Sequence, residues 1–295
     1  MITEITIGTK GDDESRNRII LKNITDDKKW EAAKSSSGIT AFLYKNGFGE
    51  GQFRVPGIIE INDRERLIIE DGQRGKNLFD LLTHVDKSIG IDYYRMAAQW
   101  LARFHNKAIR EGDAEGALKK ERKRFKSYLD SFAKTGNPYL RQIKPVINFV
   151  KNKEEDIYSN RRDSFILNHG DYHPKNIIIG QDRQHDITTL FISVIDFGNA
   201  ILFPRSFDAG YFLSQFESQF YAYPEILKYC RESDFIDTYM KEADNIPSGF
   251  VEDIKLFKLR ANLSIASYLI KVGKGQSPEM KAVISRCVTS QSLHF

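Results

Sequence analysis

Asn168-His169-Gly170-Asp171-Tyr172-His173-Pro174-Lys175-Asn176-Ile177-Ile178-Ile179 is the stretch on which the reading of this chain turns. A carboxylate at 171 is followed five positions later by an amide at 176, and the amide opens an apolar run that reads as a strand. The two groups complement each other chemically. A carboxylate can orient a hydroxyl and accept its proton, whereas an amide oxygen is a hard donor suited to a magnesium-class cation. A loop that doubles back between them would point both into one cleft. His169, Asp171 and His173 also alternate, a spacing that can ligate a metal, but a hydrolase built that way needs more ligands than the sequence supplies.

Twenty residues on, the apolar run at 190–195 ends in Asp196-Phe197-Gly198. The carboxylate would emerge from a buried strand at a sharp turn, which Gly198 permits. Such a group is a second hard oxygen ligand. An isolated Asp-Phe-Gly is common; its place after Asp171 and Asn176, on a loop–strand–strand–turn, gives it weight.

Upstream, Ile2–Ile7 alternates apolar and polar residues, and a Gly-rich turn at 8–13 leads to a second strand at 18–24. Residues 26–45 read as a helix capped by Asp26 or Asp27, weakened by Ser35-Ser36-Ser37-Gly38. Short strands are expected at 53–61 and 66–70. After Asp71-Gly72 the chain turns helical, with an amphipathic segment at 91–110 and further helices at 77–82, 125–132 and 143–151. Strands return at 165–167, 176–179 and 190–195. Helices follow at 210–220, 223–229, 233–242 and 251–272. A boundary near residues 71 and 72 separates a strand-rich part, 1–71, from a helical part, 72–295.

Composition is that of an ordinary soluble globular chain: 295 residues, 41% hydrophobic, 28% charged, net charge +4. Two cysteines, Cys230 and Cys287, exclude a disulfide scaffold and a four-cysteine zinc site. No apolar run is long enough to span a bilayer, and the polar N-terminus carries no leader pattern; a cytoplasmic protein is expected. The basic run at 119–126 reads as a solvated helix face rather than a nucleic-acid or membrane contact.

The 168–179 stretch has the catalytic-loop spacing of protein kinases, H-x-D-x-x-x-x-N. More closely, residues 168–212 resemble the aminoglycoside phosphotransferase/choline kinase-like family, with His-Gly-Asp-x-His-x-x-Asn, a strand, Ile-Asp-Phe, and Asp208 where the family begins a helix. Leu101-Ala-Arg-Phe-His105 and Arg66-Leu-Ile-Ile-Glu70-Asp71-Gly72 extend the likeness loosely along the chain. The resemblance implies an α+β, bilobal protein-kinase-like fold, with a small β-rich N-lobe, a large mainly helical C-lobe, and ATP between them. It implies transfer of a γ-phosphoryl group to a small-molecule hydroxyl, such as that of an aminoglycoside, amino alcohol or sugar. Asp171 would be the catalytic base, with Asn176 and Asp196 on Mg2+. Lys22 would meet the phosphates, paired with Glu31; Lys28 and Lys29 are alternatives to Lys22, and Glu50 to Glu31. The backbone near Glu70 and Asp71 would meet adenine, the turn at Gly8 and Gly11 would cover the phosphates, and His169, His173 and Asp208 would support the loop.

Rival readings are a catalytically silent nucleotide-binding scaffold and a protein kinase. Against the latter, Gly170 stands where protein kinases carry an arginine, no Ala-Pro-Glu follows, and few residues separate Gly198 from Asp208. The sequence leaves the acceptor and oligomeric state open.

Overall fold

Alternating aliphatic residues near the N-terminus build β1 (Ile2–Ile7) and β2 (Asn17–Asn23), and α1 (Asp27–Leu43) follows. The computed structural model describes residues 1–8, 17–183 and 186–292. Along the chain come β3 (Phe53–Arg54), β4 (Ile58–Asn62), β5 (Leu67–Gly72), β6 (Lys76–Asn77), α2 (Leu78–Leu82) and α3 (Lys87–Asn106). Then come α4 (Ala114–Lys134), α5 (Leu140–Arg161), β7 (Ile166–Asn168), β8 (Ile177–Gln181), β9 (Leu190–Val194) and β10 (Ile201–Phe203). Five helices complete the chain: α6 (Ser206–Gln219), α7 (Pro224–Tyr229), α8 (Glu232–Glu242), α9 (Phe250–Lys271) and α10 (Pro278–Ser292). No helix among the described residues is long and apolar enough to cross a membrane.

The chain divides into two compact units, Met1–Trp100 with Pro174–Ala200 and Leu101–His173 with Ile201–Phe295. The boundary expected at residues 71 and 72 lies inside the first unit. The reason is strand pairing: β6 joins β8, and β3 runs parallel to β9, so that residues near 53, 76, 178 and 192 share one sheet of order β3-β9-β8-β6. The other sheet of this unit is antiparallel, in the order β1-β2-β5-β4. Helix α1 is capped by Asp26, whose side chain accepts from the Lys29 amide. It continues through Ser35-Ser36-Ser37-Gly38 despite their low helix propensity, because packing overrides it.

In the second unit β7 and β10 form a two-stranded antiparallel ladder. The strands expected at 165–167, 176–179 and 190–195 are therefore shared out, β7 to this ladder and β8 and β9 to the first unit. A core runs through α4, α5, α9 and α10, with Phe132, Ile143, Val146, Phe257, Leu263 and Val283 fully enclosed. The interior face of α6 approaches α9 at Gly210, where a Cβ would stand 2.7 Å from the Ile254 carbonyl oxygen; only glycine fits.

Candidate active site

A cavity of about 680 Å³ opens in the first unit, within the range of small-molecule sites. Ile20, Lys22, Glu70 and Gly72 line it from one face of β2 and β5, as alternate strand residues should. Helix α1 contributes Ala33, Ser37 and Thr40, and the turn after β9 contributes Asp196 and Phe197.

Lys22 Nζ sits 2.6 Å from Glu70 Oε1. This corrects the expected partnership with Glu31. Glu31 lies on the outward face of α1, 70% exposed at its side chain, and pairs with Lys34 at 3.1 Å. Lys34 also meets Asp63, which accepts from the Trp30 indole. The helix rotation is set by burial of Trp30, Ser37, Thr40 and Leu43, and it turns small residues, not an acid, toward the cavity. Glu50 is exposed, and Lys29 lines the cavity alongside Lys22.

At Asp71 the backbone amide donates to the Gly57 carbonyl at 2.8 Å, so that donor is spent inside the unit. Desolvation raises the Asp71 carboxyl above its usual range. Gly72 and Gln73 follow it along the cavity wall. Of the expected phosphate-covering turn, Gly11 falls outside the described residues.

The hairpin of β8 and β9 brings the two expected metal ligands to one end. Ile177 pairs with Val194, and the Ile195 amide donates to the Asn176 carbonyl at 3.0 Å. Asn176 and Asp196 thus flank the same rung. Asp196 adopts a left-handed conformation, φ 67°, at a cost of order 1 kcal/mol. Its Oδ1 accepts from the Gly198 amide at 3.3 Å. Lys175 is exposed and lies over the Phe79 ring at 5.0 Å.

In the second unit the loop after β7 is held by a fully buried carboxylate. Asp208 on α6 accepts from the amides of His169 at 2.6 Å and Gly170 at 2.9 Å. Gly170 has φ 80°, a conformation a side chain resists. His169 is itself buried, packs edge-on against Tyr172, and accepts from the Asp171 amide through Nδ1 at 3.3 Å.

His105 completes this support. Its Nε2 lies 3.3 Å from Asp208 and its Nδ1 2.7 Å from the Tyr239 hydroxyl. A carboxylate only accepts, so the ring proton sits on Nε2 and Tyr239 donates to Nδ1. Desolvation lowers the His105 pKa despite the neighbouring Asp208, which keeps the ring neutral.

Asp171 Oδ1 accepts from the Tyr211 hydroxyl at 2.6 Å, and His173 Nε2 lies 3.7 Å from the same oxygen. Sequence reasoning singled out His173 but missed Tyr211. The available signal was its position three residues after Asp208, on the same helix face. Among the described residues no group of three or more His, Cys, Asp or Glu side chains gathers as a metal nest, so the alternating His169, Asp171 and His173 do not form a hydrolase-type ligand set.

Comparisons with known proteins place this arrangement. The fold is similar to that of an ethanolamine kinase from Plasmodium vivax, with TM-score 0.60 and 15% identity, covering 98% of this chain and 81% of that one. It is similar to a choline kinase from Streptococcus pneumoniae, with TM-score 0.55 and 14% identity over 99% and 93% of the two chains. A spectinomycin phosphotransferase, crystallised with ADP and spectinomycin, gives TM-score 0.54 and 13% identity over 98% and 93%. At such identities the likeness concerns the fold, an α+β fold of the protein-kinase type. No curated protein matches the chain by sequence. The model of one family matches residues 11–225, which include the cavity-lining strands β2 and β5, the loop around Asp171, the β8–β9 hairpin and Asp208, and the chain belongs to that family, the phosphotransferase enzyme family (APH).

Proposed function

We propose that this phosphotransferase moves the γ-phosphoryl group of ATP, in the presence of Mg2+, to a hydroxyl of a small molecule. The observation that carries the reading is that Lys22 and Asp196 line one cavity of nucleotide size. A cation on one wall and a metal-binding carboxylate on another is the donor set that a metal–polyphosphate requires.

Asn176 and Asp196 offer oxygen donors only, which fits magnesium rather than a softer ion. When bound, the ion would neutralise charge on the phosphate oxygens. Lys22 would hold phosphate oxygens, and Glu70 would hold Lys22. Because the Asp71 amide is committed and Gly72 is paired with Arg18 in the sheet, the purine edge would be read further along, from Gln73. Asp171 would orient the acceptor hydroxyl and take its proton. Asp208 and His169 act beforehand, by fixing the loop so that no reorganisation is needed during reaction.

Two features favour a small acceptor over a polypeptide. Between Gly198 and Asp208 the chain forms the short strand β10 and enters α6 at once, leaving no long loop on which a peptide could lie. Gly170, with its positive φ, occupies the place where protein kinases carry a phosphate-reading arginine. The ethanolamine, choline and spectinomycin enzymes of the same fold suggest an amino alcohol or an aminocyclitol as first candidates.

The test is radiolabelled ATP with Mg2+, offered separately to a metabolite pool and a cell-protein extract. Label should appear in a small molecule, and Asp171→Asn should reduce its rate by ~10²–10⁴-fold. Label confined to specific proteins would overturn the acceptor class. Nucleotide binding without any labelled product would instead identify a silent scaffold.

A further inference from the structure

Tyr211 aims its phenol at the carboxylate on which the proposed chemistry depends. Its 2.6 Å bond to Asp171 Oδ1 falls in the short range of O–H···O⁻ hydrogen bonds. Both partners are anchored. The Tyr211 ring stacks on Phe207, with centroids 6.4 Å apart and planes 14° from parallel. Asp208, on the same face of α6, clamps the amides of His169 and Gly170 just before Asp171. One helix therefore grips the loop twice, through the backbone at Asp208 and through the reactive side chain at Tyr211.

We propose that Tyr211 is a positioning residue that fixes the Asp171 carboxylate in one rotamer. The inference rests on the reading of Asp171 as the hydroxyl-orienting group and adds the element that sets its orientation. The phenol is a durable donor, because desolvation, followed by the charge of Asp171, pushes its own pKa up. Other groups facing this pair are His173 and His169 on the loop, Asp208 on α6, Tyr128 on α4 and Arg260 on α9. Of these, His173 is the second group beside Asp171 Oδ1, at 3.7 Å.

The experiment reads the χ1 couplings of the Asp171 side chain at fixed pH in selectively labelled protein without nucleotide, with Asp171→Asn identifying the signal. Wild type should show the couplings of a single rotamer. Tyr211→Phe keeps the ring and removes the donor, and should turn them into averaged couplings. In the radiolabel assay kcat should fall roughly 10-fold, the scale of one hydrogen bond to a charged group, with KM for ATP unchanged within about twofold. Averaged couplings in wild type overturn the proposal, whether or not the Tyr211→Phe protein folds. Single-rotamer couplings kept in Tyr211→Phe overturn it too, as does phosphate found on Tyr211 after incubation with Mg-ATP, since that would make the phenol an acceptor. Couplings that become averaged in Tyr211→Phe of a protein that transfers no phosphoryl group support the role of Tyr211 and sink the functional reading alone.

Discussion

Lys22 and Glu70 form an ion pair across two antiparallel strands, 2.6 Å apart, on the face of the sheet that lines the cavity. They are diagonal neighbours, since Lys22 is paired with Ile68 and Glu70 with Ile20, within reach of long side chains. Helix α1 supplies no competing carboxylate on that side, where it presents Ala33, Ser36 and Ser37. The lysine is thus held by the sheet it stands on. Sheet-mediated pairing makes its position independent of any movement of α1.

The pair predicts an ordering of variants. Lys22→Ala should weaken binding of a Mg-bound, non-hydrolysable ATP analogue most, and Glu70→Gln by about 5–30-fold, the scale of a partly exposed charge pair losing one member. Glu31→Ala should bind within about twofold of wild type. Calorimetric titration of the three variants decides it: equal losses for Glu31→Ala and Glu70→Gln would restore the helix glutamate as the partner of Lys22.

Asp196→Asn should abolish Mg-dependent transfer while leaving the protein folded. Asparagine tolerates the left-handed backbone found at Asp196, so this variant removes charge without adding strain, unlike Asp196→Ala. Turnover should fall by more than ~10²-fold, with the melting temperature within about 2 °C of wild type. Near-normal turnover would show that Asp196 holds no metal.

Much of this was legible in the sequence for physical reasons. The strands expected at 165–167, 176–179 and 190–195 are met by β7, β8 and β9, because short apolar runs bounded by turn residues are a local signal. Alternation located β1 at Ile2–Ile7. The basic run on α4 is a solvated face, with Lys119, Lys120, Arg122 and Lys123 exposed around the buried Glu121 and Phe125. Helix α4 is far longer than expected, because its polar first half carries no apolar repeat and is started by the Asp113 cap. Helix α10 was missed, although Pro278 at its start was a signal. What local pattern could not show was long-range pairing. The choice of Glu70 over Glu31, the parallel ladder of β3 with β9, and the bond from Tyr211 to Asp171 all join residues far apart in sequence.

Both thiols should be silent in the native protein. Cys230 and Cys287 are free and buried, and desolvation pushes each pKa up to about 12, so almost no thiolate exists at pH 8. A chromogenic disulfide reagent should titrate two thiols only after denaturant is added. Fast labelling of the folded protein at pH 8 would contradict the burial of both.

Glu154 on α5 should cost the protein stability at neutral pH. The residue is 1% exposed, and among the described residues neither carboxylate oxygen has a hydrogen-bond partner. The arginines nearby are already used: Arg260 on α9 binds Glu121 on α4 through Nε and Nη2, each at 2.8 Å, and Arg124 joins the same carboxylate. Desolvation, followed by the negative charge of Glu121, therefore raises the Glu154 pKa well above 4.5, with Glu155 adding to the rise and Arg260 and Arg124 opposing it. In the unfolded chain the same group ionises near pH 4.5. Above that pH the folded state holds a proton that the unfolded state has released, so stability is lost as pH rises, by up to about 1.4 kcal/mol per pH unit until the folded group also ionises. Glu154→Gln keeps the shape and removes the titration. Urea unfolding should find wild type and variant similar at pH 4, with the variant more stable by at least about 1 kcal/mol at pH 8. A variant less stable than wild type at pH 8 would mean that Glu154 is ionised in the fold and held by the arginines after all.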